Sequence, residues 1–92
     1  MALKFATSAD EFEYELKRYQ SNEILVRMMV NEGRADGDRR KLIDEYLHDA
    51  GRLNEEAQIS AKNNNYKNAV AVMEKSNGQL NRALQTMGIP VF

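Results

Sequence analysis

His48 is the only histidine in the chain, and acidic residues crowd it: Asp44 lies one helical turn earlier and Asp49 is its neighbour. A histidine and a carboxylate four residues apart on a helix could share a metal ion. Structural metal sites gather three or four converging ligands, however, and this chain has no second His and no Cys to complete one. A Ser–His–Asp triad fails for the same lack of convergence, since no motif places a serine beside His48. The expectation is a solvated histidine on an ion-paired helix face.

A second group with chemical potential is Asp36-Gly37-Asp38, which with Glu45 echoes a calcium loop. Placing Glu45 at the twelfth position of such a loop puts Arg34 at the first and Arg39 where the sharp turn needs glycine. A cation at a ligand position and a Cβ at the turn defeat the geometry, so helix capping is the better reading. Around these residues Arg34, Arg39, Arg40 and Lys41 form a basic cluster. Cations at a helix start oppose its macrodipole. A phosphate or acidic contact would rationalise them, and they are the candidate anion site. The bland alternative is a solvated patch balanced by Asp36, Asp38, Asp44 and Glu45. No aromatic residue lies within the cluster to stack a base, so nucleic acid is not an expected partner.

The third group is apolar. In ILVRMMV, Ile24 to Val30, six residues of seven are apolar. That would wrap most of a helix, wider than the stripe of roughly 100° a surface helix needs. Either the segment sits at the centre of a bundle or part of it meets another chain. Ile24, Leu25, Met28 and Met29 are the candidate interface, the two methionines being suited to adaptable surfaces as well as to core gaps.

These groups sit in a chain of 92 residues with net charge −1 and no cysteine. That length makes one domain, 1–92, able to bury a core of its own. With 42% apolar and 29% charged residues the composition is that of a globular protein. Disulfides, thiolate catalysis and Cys-based zinc sites are excluded. The near-zero charge supplies no overall field for nucleic acid or anionic lipid. No run approaches the ~18–20 apolar residues of a membrane span, so no membrane partner is expected. The N-terminus MALKFATSADEF lacks the layout of a secretory signal. The default expectation is a cytoplasmic protein, or a periplasmic one if a signal peptide has been removed.

Apolar spacings of three and four recur throughout, which is the helical period. A first helix over about 8–32 opens at a Ser8/Glu11 capping box and carries Phe12, Leu16, Tyr19, Val26 and Val30 on one stripe. Ser21-Asn22 could break it, because both side chains compete for backbone hydrogen bonds. A second helix over about 37–62, capped by Asp36 or Asp38, has the seam Ile43, Tyr46, Ala50, Leu53, Ala57. A third over about 65–87 has the seam Tyr66, Ala69, Met73, Ser76, Leu80, Ala83, Met87, then Gly88 as a left-handed stop with Ile89 folding back on Leu84. Asn63-Asn64-Asn65 is read as the corner between the last two helices, since asparagine tolerates the left-handed conformation and caps helices.

The run Leu53–Leu84 resembles the helical hairpin of tetratricopeptide repeats and of MIT-type three-helix domains. Ala57, Tyr66, Ala69, Met73 and Ser76 match the family positions, while Glu56, Ser60 and Asn81 depart from them. The resemblance implies a hairpin with protein-binding habits. The ending is also similar to that of small uncharacterised helical proteins of proteobacteria, which implies no activity. The reading is an all-α antiparallel three-helix bundle, or four helices if the first breaks near Ser21-Asn22. No catalytic residue, metal ligand or cofactor is assigned. The expected role is a non-catalytic protein–protein interaction module that self-associates as a homo-oligomer. The alternative is a small anion- or ligand-binding protein using the basic cluster.

Overall fold

The computed structural model describes residues 5–90, and among these three helices account for almost all of the chain. They are α1 (Ser8–Asn31), α2 (Gly37–Lys62) and α3 (Tyr66–Thr86), joined by two short corners. The all-α three-helix bundle expected from the periodicity is the observed architecture. Residues 1–4 and 91–92 lie outside the described residues.

α1 begins one residue earlier in its capping logic than the sequence suggested. Thr7 is the N-cap: its backbone is extended and its hydroxyl accepts from the Asp10 amide at 3.1 Å, while Ser8 is already helical. The helix does not break at Ser21-Asn22. Tyr19 and Val26 are buried on either side of that point, so burial in the core overrides the local preference for a turn. The polar residue interrupting the stripe, Glu23, accepts the Tyr19 hydroxyl at 3.2 Å and faces Arg27 at 3.6 Å, which keeps it satisfied without disturbing the helix.

All three helices end in the same way. In each, one residue takes a positive φ, its amide bonds the carbonyl three residues back, and the next amide bonds the carbonyl five back. After α1 the left-handed residue is Gly33, with Gly33 N–Val30 O at 3.1 Å and Arg34 N–Met29 O at 3.0 Å. After α2 it is Asn64 (φ 60°), with bonds to Ala61 O at 3.0 Å and from Asn65 to Ser60 O at 2.8 Å. After α3 it is Gly88, with Ile89 N–Leu84 O at 3.0 Å. Asn65 then caps α3, accepting from the Asn68 amide at 3.3 Å. The start of α2 is the exception. Asp36 occupies the N-cap position without a side-chain bond, and Asp38 lies inside the first turn.

α3 is the hub. It packs most extensively on α2, next on α1, and α1 and α2 meet at few points. Nine of its 21 residues are buried, more than a one-sided stripe, because it faces two neighbours. Ala50 and Ala57 of α2 are fully buried against it, with Tyr46 and Leu53 partly buried on the same seam. The small alanine side chains let the backbones approach, and the Ser76 hydroxyl donates to the Ala50 carbonyl at 2.7 Å across the contact. Because α1 leans on α3 rather than closing a triangle, the bundle is flattened, with extents of 42 × 29 × 15 Å.

Candidate functional site

The run Ile24–Val30 divides between core and surface. Val26 is fully buried, and Leu25, Met29 and Val30 are half-buried against the core. Ile24 and Met28, one turn apart on the opposite side, remain 60% and 48% exposed. Of the four candidate interface residues, two therefore face solvent and two mainly face inward. The over-wide apolar wrap has a simple cause: the inward half closes the core, and the outward half is not covered by α2 or α3.

The outward side of α1 carries a periodicity of its own. Asp10, Tyr14, Lys17, Ser21, Ile24, Met28 and Asn31 fall at steps of four and three, and all seven are exposed. This is the spacing of a helix–helix seam. Its polar members hide it from a search for apolar stripes. Tyr14, 41% exposed, lies near one end with the Phe5 ring tilted against it at 5.3 Å between centroids. Glu13, Gln20 and Arg27 run alongside, exposed as well.

The four residues of the basic cluster differ in their partners. Arg40 is committed to Asp44, Nε to Oδ1 at 3.0 Å, and neither Lys41 with Glu45 nor Asp44 with His48 forms an ion pair among the described residues. Arg34, Arg39 and Lys41 are exposed and have no ion-pair partner among the described residues. Lys41 and Arg40 border a depression of about 760 Å³ that is also lined by Gly37, Asp44, Glu45, His48 and Asp49. All of these belong to α2, so no second described helix walls it. Among the described residues no three His, Asp or Glu side chains converge to hold a metal ion.

Between α1 and α2 a smaller cleft of about 350 Å³ is lined by Glu23, Arg27, Leu47, His48, Gly51, Arg52 and Glu55. It holds both cations and carboxylates, and Arg52 turns to Glu56 outside the cleft, 3.9 Å away in an exposed pair. Tyr19 lies behind Gly51, its hydroxyl 3.9 Å from where a side chain on that glycine would begin. Burial, reinforced by the negative charge of Glu23, pushes the Tyr19 phenol up to about 12. It is a hydrogen-bond donor that stays protonated, which suits anchoring α1 and does not suit proton abstraction.

Two buried polar residues were not legible in the sequence. Glu15 of α1 and Asn77 of α3 meet in the interior, the Asn77 amide nitrogen donating to both the carbonyl and Oε1 of Glu15 at 3.0 Å. Arg18 bonds the same Oε1 at 3.2 Å. Asn77 Oδ1 has no hydrogen-bond partner among the described residues. No periodicity argument finds such a pair, because each residue sits at a position of its helix that the apolar stripe would fill. No family model matches the chain, and no curated protein or solved structure matches it.

Proposed function

We propose that the chain is a non-catalytic helical protein–protein interaction module that self-associates through the outward face of α1. The observation that carries this reading is the pair of exposed apolar side chains, Ile24 and Met28, on a seam-spaced face that neither α2 nor α3 covers. Exposed apolar groups that align at helical spacing gain from burial against a partner, at about 25 cal/mol per Å² removed from water. The convergence that an active site needs, a nucleophile beside a base and an oriented electrophile, is not assembled by Tyr19, Glu23 or His48. The hairpin likeness of residues 53–84 to tetratricopeptide and MIT-type domains points the same way.

Gel filtration with light scattering tests the reading. The wild-type chain is expected to run above monomer mass, and the double variant Ile24→Ser with Met28→Ser to run as a monomer with its helicity intact. A wild-type monomer at high concentration overturns self-association.

One observation favours an anion-binding role as a second reading. The first turn of α2 receives no side-chain cap from Asp36, and Arg34 and Arg39 stand beside it without carboxylate partners among the described residues. Helix N-termini with free amides and nearby cations attract phosphate. Charge reversal at Arg34 and Arg39 then abolishes phosphate binding in titration calorimetry while leaving thermal stability nearly unchanged. No heat with the wild type removes this reading.

A further inference from the structure

We infer that the partner seated on α1 is the α1 of a second copy, running antiparallel, with the two-fold axis close to Ser21. The inference rests on the self-association reading above and specifies its geometry. The outward seam is nearly symmetric about its own middle. Tyr14 and Met28 lie seven residues on either side of Ser21, Lys17 and Ile24 lie four and three away, and Asp10 and Asn31 close the ends. Reversing the helix on itself therefore sets Tyr14 against Met28 of the other copy, the Lys17 stem against Ile24, and the smallest residue of the seam, Ser21, at the crossing.

The flanking charges favour this direction. Glu13 and Arg27 stand seven residues either side of Gln20, so an antiparallel pair brings each Glu13 to the Arg27 of the other copy, twice over, with Gln20 meeting Gln20. A parallel pair can also match some flanking charges, Glu13 with Arg18 for example. It must, however, place Lys17 on Lys17 and Asp10 on Asp10 along the seam, and like charges opposed in a desolvated seam repel. The antiparallel pair opposes neither. Its like-charge meeting, Glu11 with Glu32, falls at the two ends, where water and salt screen it. The exposed aromatic and the exposed methionine, unrelated on the single chain, become one contact, and sulfur–aromatic pairing is favourable.

The chain has no cysteine, so single cysteines carry spin labels without background. Ser21→Cys and Asn31→Cys are both exposed substitutions away from the core. In the antiparallel pair the Ser21→Cys labels sit near the interaxial distance of about 8–10 Å plus their linkers. The Asn31→Cys labels are separated by about 30 Å, twenty residues of helical rise at ~1.5 Å each. Glu13→Arg and Arg27→Glu each raise the dimer dissociation constant several-fold, and the two together in one chain return it. Short distances at both labels mean a parallel pair, and long distances at both mean another face; either overturns the geometry and leaves self-association standing. A wild-type monomer by light scattering overturns both.

Discussion

Among individual residues, the interior polar contact explains more than any surface cluster. Glu15 and Asn77 replace apolar packing at the α1–α3 contact with two hydrogen bonds, and one of them goes to the Glu15 backbone. Buried polar pairs of this kind fix which turn of one helix faces which turn of the other, because a slip leaves both groups unpaired. Asn77→Asp tests it by swapping the donor for an acceptor at the same volume. The variant should lose about 3–5 kcal/mol near neutral pH by chemical denaturation, the range for an uncompensated buried charge. Its deficit should shrink in acid, as the new carboxyl takes up a proton and can donate again. Tyr19 makes a prediction at the other end of the pH scale. A phenol whose pKa in the folded chain is raised to about 12 from an ordinary value of 10.0 contributes stability that is complete below pH 10. That contribution is lost as pH rises through about 12. Thermal melts of wild type and Tyr19→Phe should therefore differ most below pH 10 and converge between about pH 10 and 12. A gap that stays constant across that window would mean Glu23 and burial do not hold the proton.

At the level of elements, the parts legible in the sequence are those governed by local rules. The all-α class, the seams of α2 and α3 and the corner at Asn63–Asn65 follow from 3.6-residue spacing and from residues that tolerate positive φ. The continuity of α1 was not legible, since Ser21 and Asn22 argue locally for a break and only the burial of Tyr19 and Val26 overrules them. The N-cap shifted by one because Thr7 and Ser8 are chemically equivalent candidates, and only the backbone decides between them. The outward seam of α1 escaped because four of its seven members are polar. Of the three helix stops, the one after α2 is the most exposed to substitution, since it alone places a side-chain-bearing residue at positive φ. Asn64→Val puts a β-branched residue there and should lower stability by about 1–2 kcal/mol. Asn64→Gly should be tolerated, and equal melting temperatures for the two variants would show that the corner does not depend on this conformation.

The flattened shape of the whole molecule ranks its helices by how well each is held. α3 touches both neighbours and α1 touches mainly one, so α1 has the least to lose on opening. Its radius of gyration, 13.9 Å, exceeds the ~12 Å of a compact chain of this length, as expected when one helix leans outward instead of closing a triangle. A dilute single chain should therefore exchange the α1 amides before those of α2, and those of α3 last. The fully buried Met73 and Leu80 mark the slowest two turns of α3. If α1 is also where a second copy docks, the same helix that is least protected alone should gain most from concentration. Hydrogen exchange followed by mass spectrometry at two protein concentrations separates the contributions, because dimerisation stabilises only what it covers or what opens with it. Protection should rise with concentration over residues 10–31 of α1 and stay level over α3. A uniform rise would mean the chain opens as one cooperative unit, and no change in α1 would place the docking face elsewhere.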